Sequence, residues 1–189
     1  MMRIMTTTRE QLLDAVRAAA FDGLLDDLTA SEVARRAGVH RVTFYRHWPD
    51  VQKAVIDAFA QEVDRLATVE EAPVEAARTT SELASVYDTA LLHSLEEVLA
   101  HRSVYRTLFA WPAFAQRMRE MLRSRAALMI AAVERTGTPV PGAASGMAAE
   151  FVAGASVGVH AAWAASDATD ARAAATDVIA LMPAWWPRP

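Results

Sequence analysis

Apolar residues recur along most of this chain at intervals of three and four, the spacing that gathers them on one face of an α-helix. The first such stripe, Leu12, Leu13, Val16, Ala19 and Ala20, predicts a helix from about Thr8 to Phe21. Thr7 with Glu10 supplies a capping box to open it, and Gly23 ends it. A second box, Thr29 with Glu32, opens a short helix whose inner side is Val33 and Ala37, with Ala34 small enough for a close crossing. Gly38 stops that helix, because only glycine enters the left-handed region without steric penalty. Val39 fills the gap, and a further helix runs from about His40 to His47 with Phe44 turned inward. Pro49 and the cap Asp50 begin a fourth, carrying Val51, Val55, Ala58, Phe59 and Val63 on one side as far as about Thr68.

Residues 69–80 combine charge, a proline and weak periodicity, so the domain boundary is expected there, dividing 1–68 from 69–189. Thr79 and Glu82 then cap a helix bearing Leu83, Val86, Tyr87, Ala90, Leu91, Leu95, Val98 and Leu99. Ser103 starts a short helix through Leu108 and Phe109, and Pro112, preset for a first helical turn, opens a long one. Phe114, Met118, Met121, Leu122, Leu128, Met129 and Val133 form its inner side, and Arg117, Arg119, Glu120 and Arg123 much of its outer side. After the stop at 136–142 comes an apolar, small-residue segment, Ala143–Ala165, and a last helix from about Thr169 to Leu181. Pro183 ends it, leaving the tail Ala-Trp-Trp-Pro-Arg-Pro. No stretch alternates at period two for long enough to form a strand, and no internal repeat is present. The expected fold is all-α, about nine helices, with a three-helix N-terminal head and a C-terminal helical bundle.

Two short helices joined by a glycine turn make a helix-turn-helix. Arg41, Val42, Tyr45 and Arg46 share the outward face of the second, giving guanidiniums, a phenol and an apolar contact suited to reading DNA. A tight helix pair in a larger core would use the same glycine and small residues. The detail that favours the DNA reader is Gly-Val-x-x-x-Thr-Phe-Tyr-x-His-Trp-Pro at 38–49, preceded by Glu-Val-Ala-Arg-Arg-Ala.

This stretch resembles the DNA-binding signature of TetR-family transcriptional regulators, with the likeness running from Thr8 to about Phe59. The resemblance implies a repressor that binds a palindromic operator as a homodimer and is released by a small hydrophobic effector. It also implies that Arg41 reaches base edges, Val42 makes apolar contact, and Thr43, Tyr45 and His47 hold phosphates. His40, Arg46 and Lys53 complete the candidate DNA-binding set. Three positions depart from the family pattern. His40 stands where a small hydroxyl residue usually caps, Trp48 replaces a Phe, and Val51 replaces a phosphate-holding lysine. Lys53, the chain's single lysine, points roughly 200° round the helix from that position. The rival reading is a helical small-molecule-binding or architectural protein with a degenerate head.

Composition refines this picture. With 189 residues, 53% hydrophobic and 22% charged, the chain is long enough to bury a substantial core. It has no cysteine, which excludes disulfides and zinc-finger chemistry. Met1–Thr8 is short and polar with no apolar signal core, so a cytoplasmic protein is expected. A net charge of −4 looks wrong for a DNA binder until it is located: residues 33–53 carry five cations against Asp50, a local +4, leaving −8 elsewhere.

Ala143–Ala165 is long enough to raise a membrane reading, and Gly154-x-x-x-Gly158 resembles a membrane packing motif. Glu150, His160 and the excess of alanine over leucine argue against insertion. Glycines 146, 154 and 158 instead suggest close approach to a partner helix, and homodimerisation through this helix and the Thr169–Leu181 helix would bury its apolar surface. His93, Glu97 and His101 are spaced for one helical ridge, but a surface pair and a helix-end cation account for them better than a metal. No phosphate loop, nucleophile elbow or acid/base pair points to an enzyme, and no cofactor is expected. Phe109, Trp111, Phe114, Met118, Met121, Met129 and Phe151 admit two accounts, core or the ligand cavity that the family resemblance implies. Glu150, if it faced that cavity, would favour a cationic or hydrogen-bond-donating ligand.

Overall fold

Helices open at Thr7, Thr29, Asp50, Thr79 and Asp170, where the side chain accepts a first-turn backbone N–H. The computed structural model describes residues 7–66 and 71–188. Its elements are α1 (Thr8–Phe21), α2 (Ala30–Arg36), α3 (Arg41–Tyr45), α4 (Val51–Leu66), α5 (Glu71–Ala76), α6 (Thr80–Ala100), α7 (Arg102–Phe109), α8 (Pro112–Arg135), α9 (Met147–Ala165) and α10 (Ala171–Leu181). The fold is all-α, with no strand among the described residues. The expected end of the fourth helix at Thr68 lies outside the described residues, as do Met1–Thr6, Val69, Glu70 and Pro189.

Thr7 and Glu10 form both halves of the box at α1, and Thr79 with Glu82 does the same at α6. At α2 only one half forms. The Glu32 N–H donates to Thr29 Oγ1 at 3.2 Å, but the Glu32 carboxylate turns to Arg35 and Arg36 instead of the cap backbone. Gly38 has φ +69°, the left-handed turn expected of it, and Asp50 Oδ1 accepts the Lys53 N–H at 2.7 Å to open α4.

The tenth helix, α5, falls in the stretch expected to be a linker. Six residues are too few to declare themselves by periodicity, and tertiary anchoring decides the matter. Val74 is buried and its carbonyl accepts from Arg135 on α8 at 3.1 Å.

The chain divides into two units, Met1–Glu62 and Val63–Pro189, with the division falling within α4. In the first, Leu12, Leu13 and Val16 of α1, Val33 of α2, Phe44 of α3 and Val55 and Phe59 of α4 are all buried. The rings of Phe21 and Phe59 meet edge to face at 5.7 Å.

In the second unit α8 and α9 pack along much of their length, α10 lies on α6, and α7 crosses α9. The last carbonyls of α9 have no intrahelical partners, and arginines of α7 take them. Arg106 Nε donates to Ala164 O at 3.1 Å, and Arg102 donates to Ser166 and Ala168 while its guanidinium stacks 4.9 Å from the Trp163 ring centre. Leu128, expected inside, is 39% exposed, because the buried stripe of α8 passes through Ala126, Met129, Ile130 and Val133. No helix among the described residues is long and apolar enough to cross a membrane.

Candidate nucleic-acid interface and interior cavity

α3 has only five residues, so its orientation depends on the side chains it buries. Phe44 is fully buried, its ring 5.5 Å from Tyr45 and 5.8 Å from Trp48. With Phe44 fixed inward, the opposite face is forced into solvent: Val42 is 66% and Tyr45 46% exposed, and His40, Arg41, Arg46 and His47 are exposed beside them. Thr43 is half-buried. His40 occupies the N-cap with extended backbone but makes no side-chain capping bond, as its imidazole predicts. Arg41 is not a loose side chain. Its guanidinium lies 5.3 Å from the Tyr45 ring centre and donates to Tyr45 Oη at 3.0 Å, so two candidate contacts are oriented together.

The local charge is arranged differently from a simple count. Arg36 pairs with Asp22 and with Glu32, and Arg35 pairs with Glu32 at 2.6 Å. Hydrogen bonds from Arg35 and then Arg36 hold the Glu32 carboxyl down at about 2. Arg35 and Arg36 are therefore offset and Lys53 is more loosely paired with Asp57, so the positive character of the α3 face rests chiefly on Arg41 and Arg46. Lys53 stays exposed on the first turn of α4, 3.9 Å from Asp57.

Trp48 explains its own departure from the family pattern. It is buried, and its indole N–H donates to Asp57 Oδ2 at 2.8 Å, a bond that phenylalanine has no donor to make. Arg9 of α1 adds a 3.5 Å ion pair to the same carboxylate and lies 5.1 Å from the Trp48 ring centre. One acidic side chain thus joins α1, the turn after α3, and α4.

In the second unit a half-open cavity lies among α6, α8, α9 and the C-terminal tail, with about 50 Å³ open to the centres of water-sized molecules. Leu91, Leu122, Met129 and Val152 give it apolar walls, and Ser94, Ser156, His160, Arg125, Tyr87 and Trp186 its polar groups. His160 is buried, with Nδ1 2.7 Å from Ser156 O and Nε2 2.9 Å from Ser94 Oγ. Ser94 Oγ also lies 2.8 Å from Leu91 O, so its single proton serves either that carbonyl or His160 Nε2. Desolvation pushes the imidazole pKa down, so a neutral ring donating from Nδ1 is the form that fits. Arg125 is paired with Asp64 of α4 at 3.0 Å.

The six residues expected to bind ligand are elsewhere. Phe109, Trp111, Phe114, Met118, Met121 and Phe151 are all absent from the cavity wall. Phe114 and Met118 are fully buried, and the Phe109 and Phe114 rings pack edge to face at 5.2 Å, so this cluster joins α7 to the N-terminal half of α8. Trp111 and Met121 are half-buried on its margin, and Phe151 is 59% exposed. Of the wider methionine and aromatic set only Met129 reaches the cavity, because it lies on the C-terminal half of α8. Glu150 does not face the cavity either; it forms an exposed ion pair with Arg119. Ser94, His160 and Trp186, which do line the cavity, were not in the expected set. A tryptophan pair in a short tail was the available signal, since a solvated tail has little use for two indoles.

His93 is exposed, Glu97 accepts from Tyr105 at 3.1 Å, and His101 lies 4.0 Å from Glu97. No group of three or more His, Cys, Asp or Glu among the described residues is placed to hold a metal ion.

No family model matches the chain. Among curated proteins, an uncharacterized HTH-type transcriptional regulator of Mycobacterium bovis is 35% identical over 114 residues, covering 49% of this chain and 60% of its own length. The HTH-type transcriptional regulator AqdR of Rhodococcus erythropolis is 42% identical over 50 residues, covering 26% of this chain and 24% of its own. A Mycobacterium tuberculosis regulator of the same type is 32% identical over 114 residues, with 60% of its length covered. The chain therefore spans less than two thirds of each of these relatives. All three relatives are named as regulators and none as an enzyme. The chain is homologous to transcriptional regulators of the helix-turn-helix type, which supports a regulator that binds DNA.

Proposed function

We propose that this chain is a cytoplasmic TetR-type regulator, a repressor that binds a palindromic operator as a homodimer and is released by a small hydrophobic effector. The observation that carries the reading is the α3 face, where a fully buried Phe44 leaves Arg41, Val42 and Tyr45 exposed side by side. In this reading residues 1–68 form the DNA-binding domain with its connecting helix, and 69–189 the ligand-binding and dimerisation domain. Arg41 reads base edges with Val42 beside it, Thr43, Tyr45 and His47 hold phosphates, and His40, Arg46 and Lys53 flank them. The effector enters the cavity beside His160 and Trp186 rather than the Phe114 cluster.

Dimerisation uses the outer faces of α9 and α10. Met147, Phe151 and Leu181 are 67%, 59% and 80% exposed, and Ala155, Gly158 and Ala162 are exposed on the same side of α9 as Phe151. Gly146 has a different role: at φ +76° it is the left-handed N-cap of α9.

Selection of binding sites from a random duplex pool by the full chain tests the reading. Recovery of palindromes with half-sites about one DNA turn apart, roughly 10–10.5 base pairs, is the expected result. The rival, a helical binding protein with a degenerate head, draws on the uncapped His40 and on Val51. It would be favoured by retention no better than random DNA at low salt.

A further inference from the structure

The C-terminal tail contributes a buried hydrogen-bond donor that no described residue satisfies. Trp186 lines the cavity, is 3% exposed, and its Nε1 has no hydrogen-bond partner among the described residues. Its ring is held by an edge-to-face contact with Tyr87 at 5.0 Å and another with Trp185 at 5.8 Å. The core that holds it includes Val140, Val152 and Met182. Buried polar groups are almost always paired, so an orphan donor on a cavity wall marks a place where something else is meant to accept.

We propose that the cavity binds a compact, uncharged molecule carrying a hydrogen-bond acceptor, such as a ketone, ester or lactone, which takes the indole N–H of Trp186. This rests on the ligand-binding reading given above and specifies its chemistry. An indole nitrogen only donates, so the ligand must accept. His160 and Ser94 are engaged with each other and with the carbonyls of Ser156 and Leu91, and the Tyr87 and Ser156 hydroxyls on the wall can donate to the same kind of ligand. Among the described residues Arg125 is the charged one on the wall, and Asp64 balances it. An ionised ligand would lose its hydration with no unpaired charge to replace it, whereas a neutral one meets Leu91, Leu122, Met129 and Val152. The small volume restricts the ligand to a compact body.

The test is calorimetric titration of the full chain at neutral pH with four probes of similar size: cyclohexanone, methylenecyclohexane, cyclohexanecarboxylate and cyclohexylamine. Cyclohexanone is expected to bind tightest, and Trp186→Phe to weaken it about five- to tenfold, one net hydrogen bond, with methylenecyclohexane unaffected. A second readout needs no variant: in indole-¹⁵N-labelled protein the Trp186 N–H resonance should move downfield with cyclohexanone and not with methylenecyclohexane. Equal affinity for ketone and hydrocarbon, tighter binding of the carboxylate or the amine, or an unmoved Trp186 resonance overturns the proposed ligand class while leaving a ligand-binding cavity. Failure of all four probes to bind overturns the cavity reading itself.

Discussion

Trp48 Nε1 donates to Asp57 Oδ2 at 2.8 Å, linking the turn after α3 to the second turn of α4. The carboxylate is only 18% exposed and also draws on Arg9 and Lys53, so one buried contact sets the angle at which the short α3 meets the longer helix behind it. Trp48→Phe keeps the apolar ring and removes the donor. A hydrogen bond to a charged group is worth about 1.5–3 kcal/mol, and urea denaturation should show a loss of that order. Asp57→Ala should cost distinctly less in the Trp48→Phe background than in the wild type. Additive losses would mean that the two side chains are not coupled.

Arg41 and Lys53 should fail differently. With Arg41 in the proposed base-reading role, Arg41→Ala should flatten preference in binding-site selection at one position of each half-site by about 1–3 kcal/mol. Lys53→Ala should weaken binding to all sequences alike and shrink the slope of log affinity against log salt by about one. An unchanged preference in Arg41→Ala would remove it from the reading role.

The glycines of α9 give a test of the proposed dimer that spares the protomer. A Cβ added at Gly158 meets nothing within 4 Å inside this chain, whereas one at Gly154 comes 4.0 Å from Arg119. Gly158→Leu should leave thermal stability at low concentration intact yet force the two α9 helices apart, an overpacking penalty of about 1–3 kcal/mol. Sedimentation should then show dissociation at micromolar concentration. A dimer of unchanged mass would place the interface elsewhere.

His160 predicts a dependence of stability on pH. Burial lowers its folded pKa below the ordinary 6.5, opposed in part by the bond to Ser156 O. The unfolded chain therefore binds the extra proton first, and stability falls as pH drops below about 6.5 until the folded pKa is reached. Arg125, which lines the same cavity, is paired with Asp64. The urea midpoint should decline from pH 7 to 5 in the wild type and less in His160→Asn. Glu32, held at about 2, contributes in the separate range below 4.5, where stability is lost as it protonates. Parallel curves for wild type and His160→Asn would remove His160 as the cause.

What could be read from the sequence was what forms between near neighbours. The helix bounds at Thr8 and Phe21, the left-handed Gly38, the N-cap at Thr79 and the inward turn of Phe44 each depend on contacts within about four residues. The all-helical fold follows from the same short-range periodicity, as does the exposed face of α3. Where that local logic had competitors, tertiary contacts decided. Glu32 gave up its capping bond for Arg35 and Arg36, and α5 formed on the support of Arg135. The cavity lies beyond local reading altogether. His160 meets Ser94 across 66 positions, and Trp186 reaches Tyr87 only because the tail folds back over α6. Periodicity shows which face of a helix is apolar but not which partner covers it, so the Phe114 cluster and the cavity wall look alike until the helices pack.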